Sequence, residues 1–243
     1  MNDHELAAHI ARAAGELLVR RRAEGASKDD GDRESNDLIL ALLAEHRPDD
    51  AVLSEESKDD LVRVERSRVW IVDPLDGTRE FGEAGRTDWA VHVALVIGRS
   101  PYACAVALPA QDNIVLTTAA PPALPSPHDG KLRVLVSRTR PPQLAEHLAT
   151  ALDAELVPLG SAGAKAMAVV QGVADIYAHA GGQHEWDSAA PVGVASAAGC
   201  HCSRLDGSAL VYNSRDPYLP DLLICRPELA DAVLASVRSA HDR

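Results

Sequence analysis

Val69-Trp70-Ile71-Val72-Asp73-Pro74-Leu75-Asp76-Gly77-Thr78 is the stretch on which the reading of this chain turns. Four apolar residues in a row predict a buried strand, and Asp73, Asp76 and Thr78 set two carboxylates and a hydroxyl where that strand gives out. Pro74 has no amide hydrogen to offer a sheet ladder, so the strand is expected to end at Asp73. Gly77 lets the backbone approach a ligand closely. Hard oxygen donors at this density suit magnesium, and free amides at the start of the next turn, around Thr78 and Arg79, suit a phosphate. A bare Asp-x-x-Asp-Gly also makes an ordinary solvated turn. Against that reading stands the apolar run: an unpaired carboxylate at the edge of a core is costly, and a metal would compensate it.

The same logic extends upstream. Ala51-Val52-Leu53 reads as a short strand entering Ser54-Glu55-Glu56, which puts Glu55 at another strand end, whereas Glu56 alone reads as an exposed charge. Leu6, Ile10, Ala14, Leu17 and Leu18 recur at helical spacing over roughly the first two dozen residues, closing on Arg20, Arg21 and Arg22 before Gly25. Leu38, Leu42 and Leu43 mark a second helix before Pro48. Strands are expected at residues 69–72, 90–97, 103–108 and 114–117, an antiparallel sheet flanked by helices. Residues 119–130, with four prolines, read as a linker. Beyond it the order alternates: strand 132–136, helix 142–152, helix 164–171, strand 174–178 and helix 187–198. The expected organisation is an N-terminal α+β part over residues 1–125 carrying most of the metal ligands, and a C-terminal α/β part over 126–243 closing a cleft. No internal repeat is present, which removes solenoids and propellers.

Composition narrows the function. The 243 residues are 46% apolar, enough for one large core or two layers meeting at a cleft. A formal charge of -12 argues against tracking a nucleic-acid backbone or docking on an anionic membrane. An anionic small-molecule substrate would then need metal ions as counter-charge. Cys104, Cys200, Cys202 and Cys225 form no Cys-x-x-Cys pair and read as reduced thiols. No stretch approaches about eighteen unbroken apolar residues, and Asp3, His4 and Glu5 stand where a signal peptide would be basic, so a cytoplasmic protein is expected.

Two further segments carry chemistry. Asp187 lies between Trp186 and the small-residue run Ser188-Ala189-Ala190, where it serves either as a ligand or as a helix cap. Gly160-Ser161-Ala162-Gly163, ahead of Lys165, is a glycine-containing entry to a helix suited to close ligand approach, or a flexible loop.

Taken in order, Ser54-Glu55-Glu56, Asp73-Pro74-Leu75-Asp76-Gly77-Thr78, Gly160-Ser161 and Trp186-Asp187-Ser188-Ala189-Ala190 resemble the inositol monophosphatase superfamily of lithium-sensitive, magnesium-dependent phosphatases. The likeness spans most of the chain. Within it, Asp76-Gly77-Thr78-Arg79-Glu80-Phe81 looks like the Asp-Gly-Thr-Lys-Glu-Phe form of the bisphosphate nucleotidase branch, with Arg for Lys, and Ser137-Arg138-Thr139-Arg140 resembles that branch's Ser-Arg-Ser-His segment.

The resemblance implies a layered αβαβα fold and two or three magnesium ions. It implies Glu55, Asp73, Asp76 and Asp187 as side-chain ligands, with Leu75 contributing its carbonyl. Gly77 and Thr78 would offer amides to the phosphate. Water activated by metal would attack in line, oriented by Thr78, with Glu55 in the activating set and Asp32 as the carboxylate that takes the proton. This spacing differs from the Asp-x-Asp of haloacid dehalogenase-type phosphatases. The segment Lys28-Asp29-Asp30-Gly31-Asp32 departs from the family's Ser-Pro-x-Thr-x-Ala-Asp, and a solvated acidic loop is the alternative reading of Asp32.

Substrate contacts implied are Asp76, Gly77, Thr78, Arg79, Ser137, Arg138, Gly160, Ser161, Lys165 and Asp187, the cations among them facing a second phosphate. Tyr212, Tyr218 or aliphatic walls remain for a base. His179 stands where inositol phosphatases carry a hydroxyl-binding Glu. Cys200-His201-Cys202 on a strand splits between two faces and makes a poor zinc site. The activity implied is removal of the 3′-phosphate of 3′-phosphoadenosine 5′-phosphate and of its sulfated form, in sulfur assimilation, by a homodimer. The alternatives are an inositol-1-phosphatase or fructose-1,6-bisphosphatase, and a silent metal- or nucleotide-binding regulator.

Overall fold

The computed structural model describes residues 1–138 and 143–241. Thr139, Arg140 and the predicted helix start at Pro142 lie outside the described residues.

Helix α1 (Asp3–Ala23) starts on a capping box in which Asn2 and Glu5 satisfy each other's amides, and it ends on three arginines that complement the C-terminal end of its dipole. Its buried stripe, Leu6, Ile10, Ala14 and Leu18, is the periodicity visible in the sequence. Helix α2 (Lys28–His46) is longer than its leucines indicate, because Ser27 caps it and the acidic segment 28–32 forms its first turn. The acidic-loop reading of Asp32 is thereby corrected: Asp32 is helical and 6% exposed.

The first sheet holds β1 (Ala51–Ser54), β2 (Arg68–Asp76), β3 (Ala90–Ile97), β4 (Ser100–Leu108) and β5 (Ile114–Thr117), in that spatial order. Four of these strands are antiparallel neighbours, but β1 pairs parallel with β2 after a crossover through a short 3-10 turn (Val62–Glu65). A parallel start is what puts the ends of β1 and β2 side by side. Between β2 and β3 lies the five-residue helix α3 (Thr78–Gly82).

The prolines of the predicted linker carry the chain from β5 to β6 (Arg133–Ser137) with no helix or strand between. The chain continues through α4 (Gln143–Ala151), β7 (Glu155–Leu159), α5 (Ala162–Val170), β8 (Ile176–His184), α6 (Glu185–Ala197), β9 (His201–Ser203), β10 (Tyr218–Cys225) and α7 (Ala230–His241). The second sheet runs β7-β6-β8-β10-β9, parallel at β6 and its two neighbours and antiparallel around β10.

Strand alternation sorts the layers. Trp70 and Val72 of β2 pack with α1 and α2, while Val69 and Ile71 face the other way, onto α5 and α6. In β10, Leu222 and Ile224 meet those same two helices from the opposite side, and Leu223 and Cys225 turn outward to α4 and α7. The result is helix, sheet, helix, sheet, helix, the αβαβα order expected. Burying a side chain such as Leu6, Ile10 or Leu222 completely contributes about 1.5–3 kcal/mol. Asp73 shares the parity of Val69 and Ile71, so its carboxylate points at the central helix layer, where α6 begins. Among the described residues no helix is long and apolar enough to cross a membrane.

Candidate active site

Strand β2 does not end at Asp73. Pairing with β3 continues through Asp76, with a register shift between Asp73 (opposite His92) and Asp76 (opposite Ala90). Pro74 and Leu75 fall in that bulge, where no ladder bond is required of the proline. The bulge is pinned: Asp73 Oδ1 accepts from Leu75 N at 3.0 Å, and Ser35 Oγ of α2 donates to the Pro74 carbonyl at 2.8 Å.

Oxygens of Asp73, Asp76 and Asp187 all lie within 4.8 Å of one another. Asp187 arrives there as the third residue of α6, its Oδ2 accepting from the His184 amide at 2.6 Å, so the capping role and the clustering coincide. Glu185, two residues earlier, is buried and accepts from the amides of Asn213 and Ser214, which anchors the start of α6. Glu55 follows the end of β1, its amide 3.4 Å from the Val72 carbonyl, and lies outside the triad at the more exposed mouth of the site.

These carboxyls repel one another, and four of them, drawn out of water, hold their protons tightly. Burial, then the charges of Asp76, Glu55 and Asp187, push Asp73 well above the usual range. Burial raises Glu55 to about 7, with Asp187 and Asp76 adding to it, and burial with Asp76 raises Asp187 to about 6. Asp32 goes to about 8 through burial, then Glu56 and Glu55. Asp76 alone moves the other way. Burial would raise it, but the hydrogen bond and charge of His92, the Ser161 hydroxyl and the Gly163 amide outweigh that and hold it at about 2. Buried Asp73 Oδ2 and Asp32 Oδ1 have no hydrogen-bond partner among the described residues. An all-carboxylate donor set with an orphaned buried oxygen fits a hard divalent cation such as magnesium.

Beside the triad opens a cleft of about 360 Å³ lined by Gly77, Thr78, Arg79, Glu80, Ser137, Arg138, Gly160, Ser161 and Lys165. The structure thus brings together eight of the residues that the sequence pattern assigned to substrate, and adds Glu80. Gly77 has φ +91°, a backbone setting glycine adopts without strain. Ser161, at φ +42°, caps α5 and donates to Asp76 Oδ2 at 2.5 Å. The Ala162 and Gly163 amides reach the same carboxylate at 3.1 and 2.6 Å, so the start of α5 is already occupied by Asp76.

The three cations lining the cleft are held differently. Lys165 is buried beneath the cleft, and its ammonium donates to the carbonyls of Gly160 and Ser161 at 3.0 and 2.7 Å. It supports the turn from below. Arg138 is paired with Glu80 at 2.9 Å and Glu83 at 2.8 Å. Arg79 is exposed, with no ion pair among the described residues. Gly160 is close enough to Glu80 that a Cβ there would overlap the glutamate, and its amide donates to Asp88. A larger groove of about 1070 Å³ lies beyond α3, against α1, and holds none of the triad.

The remaining candidate residues also take definite places. Tyr212 is fully buried against Ser188, so it has no face for a base, whereas Tyr218 is half exposed. It stands edge-on to His184, which stacks on Trp186 at 4.6 Å. His179 is held by the Gly182 carbonyl, and burial keeps it below its ordinary pKa. Burial raises the thiols of Cys200 and Cys225 to about 11 and about 12. Sequence reasoning passed over Glu80, Asp88 and His92. Of these His92 left a signal, a lone polar residue inside the apolar run 90–97.

A family model described as the inositol monophosphatase family matches residues 5–242. The 3′-phosphoadenosine 5′-phosphate phosphatase of Mycobacterium leprae is 52% identical to this chain, over 98% of it and 94% of the relative. Among solved structures, CysQ from Bacteroides thetaiotaomicron superposes with a TM-score of 0.76 at 25% identity, covering 92% of this chain and 97% of that one. An inositol monophosphatase from Anabaena superposes with a TM-score of 0.80 at 19% identity, covering 97% and 95%, a likeness of fold.

Proposed function

The chain belongs to the inositol monophosphatase family, and from that premise we propose that it is a magnesium-dependent bisphosphate nucleotidase. Its reaction would release the 3′-phosphate of 3′-phosphoadenosine 5′-phosphate, leaving AMP. The observation that carries this reading is the triad of buried Asp73 and Asp76 with half-buried Asp187, beside a polar cleft lined by Arg79, whose guanidinium has no ion pair among the described residues. The name borne by the 52% identical mycobacterial relative supports the choice of substrate.

Asp73, Asp76 and Asp187, with Glu55 and the Leu75 carbonyl, would hold magnesium. When bound, the metal supplies positive charge to the phosphate oxygens and lowers the pKa of the attacking water. Thr78, on the cleft wall, orients that water, and Asp32, whose buried carboxyl binds a proton tightly, takes the proton. The Gly77 and Thr78 amides receive the phosphate where the glycine backbone comes close. Arg79 receives the second phosphate, since Arg138 is already neutralised by two glutamates. Tyr218 and the neighbouring His184 offer the exposed aromatic face for a base.

In the same reading residues 1–125 supply most of the ligands and 126–243 close the cleft. The sulfated analogue of the substrate is accepted too, and the protein acts as a cytoplasmic homodimer in sulfur assimilation. Phosphate release from 3′-phosphoadenosine 5′-phosphate, inositol-1-phosphate and fructose-1,6-bisphosphate, with magnesium and then with lithium added, tests it. Preference for the nucleotide with lithium inhibition is expected. Equal or faster turnover of the sugar phosphates would overturn the substrate assignment, and binding of magnesium and nucleotide without turnover would reassign the chain as a regulator.

A further inference from the structure

His92 interrupts the otherwise apolar strand β3 and has no solvent exposure. Its Nδ1 is 3.0 Å from the Trp186 carbonyl, in the first turn of α6, and its Nε2 is 3.2 Å from Asp76 Oδ2 at the end of β2. Nδ1 is also 3.9 Å from Asp73 Oδ2. The ring packs on Gly163, in the first turn of α5, so closely that a Cβ there would overlap Nε2. One imidazole therefore touches the three elements that assemble the triad: the strand end bearing Asp76, the helix start whose amides hold Asp76, and the helix start bearing Asp187.

Packing does not require a histidine here. Ala90 and Ala94, on the same face of β3, fill their sites with methyl groups. A buried imidazole is costly unless its nitrogens are used, and a carbonyl can only accept, so Nδ1 carries a hydrogen for Trp186. Nε2 then meets Asp76 at the long end of hydrogen-bonding range and off its ideal line. With a hydrogen on Nε2 as well, facing an ionised carboxylate, that contact is attractive and braces Asp76 from the side of β3.

We infer that His92 is a positioning residue for the candidate metal site: it sets the separation between Asp76 and the α6 turn that carries Asp187, so that the triad is spaced before a cation enters. This rests on the reading of the triad as a magnesium site. Groups that orient metal-binding carboxylates without touching the metal change affinity about 10–100-fold when removed.

The test is manganese or magnesium binding by calorimetry without substrate, alongside the magnesium dependence of phosphate release, with circular dichroism to check folding. His92→Phe fills the space and removes both nitrogens, and should weaken cation binding at least about tenfold while the protein stays folded. His92→Gln, whose amide reaches the position of Nε2, should recover most of that loss. Gly163→Ala keeps the histidine but displaces its ring and should weaken binding as His92→Phe does, which covers the case where His92→Phe fails to fold. Wild-type affinity in folded His92→Phe, or in both His92→Gln and Gly163→Ala with no difference between them, would overturn the inference. Failure of the wild type to release phosphate from any substrate would instead count against the proposed function, because cation binding is read without turnover.

Discussion

Ser161 Oγ donates to Asp76 Oδ2 at 2.5 Å, joining residues 85 apart in sequence and tying the start of α5 to the end of β2. The same hydroxyl oxygen accepts the Ala164 amide at 2.9 Å, so one side chain both caps a helix and holds a candidate metal ligand. Its φ of +42° is unfavourable for a residue with a side chain, and such settings persist where surrounding structure over-determines them. Ser161→Ala removes both bonds. Loss of the cap should cost about 0.5–2 kcal/mol in chemical denaturation. Magnesium affinity should fall at the same time, since Asp76 loses a donor that favours its ionised form; unchanged affinity would separate the cap from the site.

Asp76→Asn changes charge with little change in volume. Its oxygen can still accept from the Ala162 amide, so the metal-free fold should persist by circular dichroism. Turnover should drop by at least about a thousandfold, the several kcal/mol expected when charge stabilisation at the phosphate is lost. Wild-type turnover would remove Asp76 from the ligand set.

Stability of the metal-free protein should depend on pH in a definite direction. Asp32, Glu55 and Asp187, raised to about 8, 7 and 6, bind protons in the folded state that the unfolded chain releases near its ordinary carboxyl range. Their contribution is complete below about pH 4 and is lost as pH rises through about 6 to 8. Asp76, held at about 2, has the opposite sign: its contribution is present above about pH 4 and lost as pH falls toward 2. With chelator present, Tm should decline from about pH 5 to about pH 8. Magnesium should raise Tm more at the upper end, where the carboxylates it needs are ionised. A Tm that climbs over this range in chelator would contradict the sign.

Arg79→Ala tests the second phosphate. A charge-assisted hydrogen bond contributes about 1.5–3 kcal/mol, so KM for the bisphosphate should rise about ten- to hundredfold with little change in kcat. Inositol-1-phosphate, which has a single phosphate, should be turned over as by the wild type. Equal effects on both substrates would place Arg79 at the scissile phosphate instead.

Much of this was legible in one dimension. Helical periodicity in Leu6, Ile10, Ala14 and Leu18 located α1, and the apolar run 69–72 located β2, because burial imposes a pattern that the sequence records. Carboxylates just after apolar runs marked Glu55 and Asp73, because a polar side chain at the edge of a buried run needs a partner the core does not supply. The strand's stop was misplaced because Pro74 forbids a ladder bond only where one is needed, and a bulge removes the need. Asp32 was read beside a loop because three acidic residues in five look solvated, whereas Ser27 caps a helix that turns Asp32 inward.

Local pattern in the sequence by itself determined most helices and strands and set Glu55 and Asp73 near strand ends, while the αβαβα layering and the full carboxylate set were implied by the resemblance to the family. Which cations remain free was decided only in three dimensions. Arg138 meets Glu80 and Glu83 from 58 and 55 residues away, and Lys165 turns under the floor to the carbonyls of its own helix entry, leaving Arg79 open. Long flexible side chains take whichever partner the packed fold presents, and no repeat along the chain encodes that choice. His92 is the same case in the core: its place in an apolar strand is visible, but its contact with three chain segments at once exists only after they have packed.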